Sequence, residues 1–351
     1  MTNSLSPGKL WSLRRMADGA GRFKMLAVDQ RPPIKNPIAK IRGTAEAPYE
    51  DVTRFKLMLL EELQSSATAM LLDPHYALPK GLRMADPARG LIVTLEDSLF
   101  EETENGRISS EIDDWSVEKI KRVGGDAVKV LAWYRPDASA AACQAQKDFT
   151  KRIGDACARY DIPFLFELLV YPLAHDAHQT KDYVEMQGKD SAHVLGSVAE
   201  FAHPDYGIDV FKLESPVSAA VAAGNGSMGS DAIQALFDEM GRLSARPWVM
   251  LSAGADKAAF SSILEYAYKA GASGYLAGRA IWLDAFGAFP DWDAIRAGLQ
   301  ADAVPYMRSI NALTDANALP WFNHQRYNGT SSPDVVVEDA DAHFRNTYAG
   351  F

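Results

Sequence analysis

Eight short apolar runs, each followed by a stretch with helical character, restrict this chain more than any other feature. They cover Lys24 to Asp29, Ala69 to Asp73, Leu91 to Leu95, Ala127 to Trp133, Pro163 to Val170, Ile208 to Pro216, Pro247 to Ser252 and Ser273 to Gly278, and recur about 20 to 45 residues apart. Short runs rich in branched and aromatic residues, alternating with helical segments, describe strands of a parallel sheet covered on both faces. Eight is the count of a closed (β/α)8 barrel, a fold that takes roughly 250 residues. The span from about Phe23 to Phe286 has that length. It leaves a lead-in helix at Leu10 to Met16 and a C-terminal extension over about 290–351, all within one domain. An open doubly wound sheet is the other arrangement of such units, but no G-x-G-x-x-G follows the first run and no G-x-x-x-x-G-K-[ST] occurs anywhere.

Between the strands, Val52–Leu63, Val117–Val123, Ser139–Arg159, Ser191–Phe201 and Lys257–Ala270 read as helices, and the extension carries a helical stretch near Ala294 to Leu313. Pro32, Pro33 and Pro37 predict an irregular loop after the first strand. Glu101 to Asp114 reads as a polar loop, as does the Asn/Gly/Ser/Pro segment from Asn323 to Asp334.

The formal charge of -10, from 36 basic and 46 acidic residues, argues against non-specific nucleic-acid binding while leaving room for a local basic pocket. Only Cys143 and Cys157 are present, on one helical stretch, so no disulfide framework is expected and a reducing cytoplasm fits. No apolar run reaches the roughly 18 residues of a membrane helix, and Met1 to Arg15 lacks the apolar core of a leader. A cytoplasmic protein with no membrane partner is expected.

The chemistry is expected where polar residues interrupt or end the apolar runs, because a barrel places its site at the C-terminal ends of the strands. These residues are Asp29, Gln30, Asp73, Glu96, Lys129, Glu167, Lys212, Glu214, Ser252 and Arg279. Lys212 is the most telling, since an ammonium on a buried strand is costly unless it is paired or loses its proton. Taken alone, Lys212 is most simply paired with Glu214, which alternation puts on the same face. Lys129 and Glu167, inside the fourth and fifth runs, change that reading. Facing the helix layer would bury their charges against apolar surface, so all three are expected to face the barrel axis. Two neighbouring lysines oppose each other's protonation, which predicts a lowered pKa for at least one of them. A neutral lysine can attack a ketone to give an iminium ion, an electron sink for cleavage of the adjacent carbon–carbon bond, with Glu167 as general acid and base. Ser252 and Gly254 after the seventh run, with Gly278 and Arg279 after the eighth, stand where barrels commonly bind phosphate.

The segments Val28 to Arg31, Val128 to Leu131, Phe166 to Leu169, Asp209 to Pro216, Leu251 to Gly254 and Ala277 to Ala280 together resemble the tagatose 1,6-bisphosphate aldolase family of class I aldolases. The resemblance runs in order over about Lys24 to Trp282. It implies a (β/α)8 barrel, Schiff-base catalysis without metal or organic cofactor, and a phosphorylated ketose cleaved to dihydroxyacetone phosphate and glyceraldehyde 3-phosphate. By the same resemblance Lys212 forms the Schiff base, with Glu167 and Lys129 handling proton transfers and Asp29 and Gln30 holding substrate hydroxyls. Ser252, Gly254, Gly278 and Arg279 bind the phosphate of the dihydroxyacetone half. Related aldolases cleave 6-deoxy-6-sulfofructose 1-phosphate, so the distal anion is phosphate or sulfonate, with Arg31, Lys35, Arg42 or His75 as its contacts. A homo-oligomer is expected.

Two rival readings follow from other features. A metal-dependent aldolase needs clustered ligands, and the nearest pair, His175 and His178, lies in the loop beyond the fifth run, with the other histidines scattered. A non-catalytic sugar-phosphate regulator would act through the C-terminal extension, but binding alone does not need two lysines and Glu167.

Overall fold

A computed structural model of the chain describes residues 4–103, 106–176, 186, 188–327, 329, 331 and 334–348. Its centre is a closed barrel of eight parallel strands: β1 (Phe23–Ala27), β2 (Ala69–Leu72), β3 (Gly90–Thr94), β4 (Ala127–Trp133), β5 (Phe164–Leu169), β6 (Val210–Leu213), β7 (Trp248–Met250) and β8 (Gly274–Ala277). Each strand pairs with its neighbours in sequence, and β8 returns to β1 through Gly274–Phe23 to Ala277–Leu26. The barrel and its helices are those expected of the eight apolar runs.

Register decides which residues share a level inside the barrel. Lys129 pairs with Thr94 on β3 and Leu165 on β5, and two residues further up Leu131 pairs with Glu167, which pairs with Lys212, which pairs with Val249. Side chains alternate across a strand, so Ala127, Lys129 and Leu131 face one way, as do Leu165 and Glu167, and Val210 and Lys212. The inward face is identified by the apolar cluster in the barrel's lower half, where Met25, Leu71, Ile92, Leu165, Val210 and Val249 meet. Above them the same face turns ionic. The outward residues, such as Val128, Phe166 and Phe211, pack under the helices.

The extension closes the barrel's N-terminal end. Trp321, Phe322 and Tyr327 pack with Leu13 and Met16 of the lead-in helix (Pro7–Met16) against Phe23 and Met25. Ser4–Leu5 forms a two-stranded parallel pair with Val336–Val337. The helical stretch of the extension runs Trp292–Gly298, a π turn at Leu299–Ala303, then Val304–Asn317. It lies against the barrel helices through Tyr268 Oη–Thr314 Oγ1 (2.7 Å) and through Arg296, which bonds Glu61 and Glu62.

Two loop expectations are corrected. The proline-bearing segment after β1 is a helix, Pro32–Arg42, ending at Gly43 in the left-handed conformation. Pro32 and Pro33 fill its first two positions, where the missing N–H has no intrahelical acceptor to lose. Pro37 forgoes one bond in the second turn, and Ile34 and Ile38, both fully buried, offset that loss. The segment after β3 is an antiparallel ribbon, Glu96–Thr103 with Gly106–Glu111, rather than a loop. Its anchor is Arg107, buried with its guanidinium 4.4 Å from the Phe100 ring centroid, 4.9 Å from Trp133 and 5.0 Å from Tyr171.

Candidate active site

The ionic level of the barrel is a chain of charges at the C-terminal mouth. Lys212 Nζ lies 2.8 Å from Glu167 Oε2, and Lys129 Nζ lies 2.9 Å from the same oxygen. Lys129 also reaches Asp29 Oδ2 at 3.0 Å and Glu96 Oε1 at 2.5 Å. Asp29 follows β1, Glu96 follows β3, and the other three stand on β4, β5 and β6, so five strands contribute to one buried network. Glu167 is the shared carboxylate between the two lysines. Lys212 is therefore not paired with Glu214. That carboxylate accepts from Val170 N (2.6 Å) and lies 3.2 Å from Lys189, away from the cavity.

The two lysines differ in their surroundings. Burial alone lowers the pKa of Lys129, but Asp29, Glu167 and Glu96 outweigh it and hold its ammonium well above the ordinary lysine value. The expectation that the lysines' mutual repulsion would neutralise one of them is not met at Lys129, because it has three carboxylates around it. The carboxylates divide as well. At Glu167 burial favours the acid form, but Lys129 and Lys212 overcome it and hold its pKa below the usual glutamate value. Asp29 is depressed further by Lys129, Lys212 and Arg31 acting against the same burial. Glu96 goes the other way: burial dominates and raises it despite Lys129 and Arg31.

At the same mouth, Ser252–Ala253–Gly254 makes a turn with left-handed backbone at Ala253 (φ 45) and Gly254 (φ 88). A Cβ on Gly254 would lie 3.5 Å from the Arg279 guanidinium, so the two phosphate-site expectations after β7 and β8 meet. Gly278 precedes the helix Arg279–Phe286. A Cβ there would fall 2.5 Å from the Ala27 carbonyl and 2.7 Å from Gln30 Nε2. The first contact is backbone, so Gly278→Ala is expected to push β1 and β8 apart. The expected cost is about 1–3 kcal/mol of stability, read by denaturant unfolding, with a raised KM for phosphorylated substrate.

One cavity joins these groups. It is lined by Asp29, Gln30, Lys129, Glu167, Lys212, Ser252, Gly278 and Arg279. Of the residues expected at the site, Asp73 lies outside it, locked to the fully buried Lys56, whose Nζ also donates to Val28 O at 2.8 Å. Arg42 pairs with Asp51 and lies over Phe289, also outside. Arg31 lines the cavity and an adjoining one that contains Lys35 and His75. It is buried, its Nη2 donates to Glu96 O at 3.0 Å, and its Nε and Nη1 have no protein partner. Glu96 has no role by resemblance, although it is one of the acids that end the strands. His175 is exposed beside Asp176, and His178 lies outside the described residues. Among the described residues no group of three or more His, Cys, Asp or Glu side chains is arranged to hold a metal ion.

Comparison with known proteins agrees with this architecture. A family model described as DeoC/LacD family aldolase matches residues 23–284. The tagatose 1,6-diphosphate aldolase of Listeria monocytogenes serovar 1/2a is 34% identical over 327 residues, covering 91% of this chain and 95% of that protein. The tagatose 1,6-diphosphate aldolase 1 of Enterococcus faecalis is 32% identical over 285 residues, covering 80% and 86%. Among solved structures, an archaeal fructose 1,6-bisphosphate aldolase superposes with a TM-score of 0.57 at 16% identity, covering 88% of this chain and all of that one. The fructose-bisphosphate aldolase of Plasmodium falciparum gives a TM-score of 0.66 at 11% identity, covering 91% and 99%. At those identities the structural likeness is one of fold.

Proposed function

This chain belongs to the DeoC/LacD aldolase family and is an aldolase, a carbon–carbon lyase; on that premise we propose that it cleaves a phosphorylated ketose through a Schiff base on Lys212. What carries the reading is the asymmetry of the two lysines. Lys129 is held as an ammonium by three carboxylates, while the bonded acid partner of Lys212 is Glu167, the group placed to take its proton. Lys212 attacks the ketone, and Glu167 returns the proton to the departing hydroxyl as water leaves and the iminium forms. The bond beyond the next carbon then breaks, its electron pair moves toward the iminium to give an enamine, and the aldehyde departs. Glu167, which has passed its proton to the departing water, takes another from solvent and delivers it to the enamine carbon, and water releases dihydroxyacetone phosphate. Lys129 keeps Glu167 ionised and in place. Asp29 and Gln30 hold hydroxyls of the substrate.

Ser252, Gly254, Gly278 and Arg279 take the phosphate next to the ketone. Arg279→Ala is expected to raise KM for phosphorylated ketose by about 10- to 100-fold with a smaller effect on kcat, since a charge-assisted contact of this kind is worth about 1.5–3 kcal/mol. An unchanged KM removes the assignment. The far anion goes to Arg31, whose buried Nε and Nη1 lack partners, with Lys35 and His75 in the adjoining cavity. Tagatose 1,6-bisphosphate heads the substrate reading because the relatives carry that name. The two free cysteines suit a reducing cytoplasm, and among the described residues no helix is long and apolar enough to cross a membrane.

The test is release of dihydroxyacetone phosphate from tagatose 1,6-bisphosphate, fructose 1,6-bisphosphate and sulfofructose 1-phosphate, with and without a chelator. Turnover of at least one, unaffected by chelator, is expected. Turnover abolished by the chelator would move the chemistry to a metal, and binding of all three without turnover would make the protein a regulator.

A further inference from the structure

Asp29, Glu96 and Glu167 surround Lys129, and the proposed function leaves one of them without a task. Glu167 stands between the lysines and serves the iminium end. Asp29 and Glu96 also bond Lys129, and Glu96 lies 3.9 Å from Arg31, the residue assigned above to the distal anion and so to the part of the substrate that departs as aldehyde. That departure needs a base: as the carbon–carbon bond breaks, the hydroxyl on the leaving carbon must give up its proton to become a carbonyl.

Resting on the Schiff-base reading, we infer that Glu96 is a further catalytic residue, whose Oε2 takes that hydroxyl proton in cleavage and returns it to the aldehyde oxygen in the reverse addition. The balance is simple. The O–H pair becomes the C=O bond, the carbon–carbon pair passes to the iminium, and the proton ends on Glu96.

Three observations carry the inference. Glu96 lines the cavity, and while Oε1 is bonded to Lys129, Oε2 is buried with no protein hydrogen-bond partner, an arrangement that costs free energy until a donor arrives. A substrate hydroxyl is such a donor. The carboxyl is also fixed: the Lys129 ammonium holds one oxygen, and Arg31 donates to the backbone carbonyl of the same residue. Finally, a proton exchanger works best with a pKa near the operating pH. Burial holds Glu96 above the usual glutamate value, whereas Asp29 is kept well below its own by Lys129, Lys212 and Arg31 against the opposing effect of burial, and is the weaker base. The charged groups facing Glu96 are Lys129, Arg31 and Asp29, with Glu167 behind Lys129 and Glu111 opposite it on the ribbon.

The test separates cleavage from the chemistry at Lys212. With the full chain, Glu96→Gln is expected to lower ketose cleavage about 10²–10⁴-fold. Borohydride trapping of dihydroxyacetone phosphate on Lys212, and exchange of the enamine-carbon hydrogen with solvent, should stay within a few-fold of wild type. The wild-type cleavage rate should fall toward acid as Glu96 is protonated, and Glu96→Asp should move that limb to lower pH. Cleavage unaltered in Glu96→Gln, or a limb unmoved in Glu96→Asp, would overturn the inference. So would equal loss of exchange and cleavage, which marks a residue that only positions Lys129. If Glu96→Gln does not fold, the Glu96→Asp profile decides. Absence of any adduct in the wild type would instead overturn the Schiff-base reading itself.

Discussion

Lys212→Ala is expected to reduce aldol cleavage by roughly 10⁴- to 10⁶-fold, the scale on which removal of a catalytic nucleophile acts, while leaving a folded barrel. The fold survives because Glu167 keeps its second partner: Lys129 remains 2.9 Å from the same oxygen when Lys212 is gone. The truncation leaves a space beside an open cavity rather than inside the apolar lower core, so the cost should be on the low side, about 1–2 kcal/mol against 2–5 for a sealed core site. Circular dichroism and denaturant unfolding read the fold, and release of dihydroxyacetone phosphate reads the chemistry. Unfolding of the variant would show that Lys212 serves the ion network first and the chemistry second.

Lys129→Met is expected to act more widely. It removes the cation that Asp29, Glu96 and Glu167 share and leaves three buried carboxyls with Lys212 and Arg31 as the nearest positive charges. Removing one partner of a buried ion pair costs about 3–5 kcal/mol, since the other charges stay buried and unpaired. The sign of the pH dependence follows. In the wild type, Asp29 and Glu167 have pKa values below their unfolded ones, so their contribution is present above the unfolded carboxylate range and is lost as pH falls through the folded values. Without Lys129 both values rise and that contribution disappears. The stability deficit of the variant should therefore be largest near neutral pH and shrink toward pH 4. Cleavage should drop about 10²–10⁴-fold, less completely than for Lys212→Ala, because the nucleophile remains. Unfolding midpoints at several pH values check this, and a deficit independent of pH would contradict the electrostatic account of the cluster.

Much of this site can be read in the sequence for one physical reason. Lys129, Glu167 and Lys212 sit inside apolar runs, where a charge must either face the barrel axis or be buried against the helices. Their partners are harder to read because register is not local. Glu214 lies two residues from Lys212 on the same face and is the obvious partner by spacing. The strand stagger instead sets Lys212 beside Glu167 and sends Glu214 to Val170 and Lys189. At Lys129 the expected lowering of the pKa is not met, for a similar reason. Counting only the charges inside the runs omits Asp29 and Glu96, which follow β1 and β3 and close on Lys129 only when the barrel forms. The ribbon after β3 is polar in composition, and what fixes it is Arg107 among three rings, two of them outside the ribbon. The helix over Pro32–Arg42 shows that prolines mark a helix's first turn as readily as a loop.

Incubation of the protein with dihydroxyacetone phosphate, reduction with borohydride and location of the covalent adduct by peptide mass spectrometry read the Schiff base itself. One stoichiometric adduct is expected, on the peptide carrying Lys212, retained in Lys129→Met at reduced rate and absent in Lys212→Ala. An adduct on Lys129, or no adduct from an enzyme that still cleaves ketose phosphates, would contradict a Schiff base on Lys212.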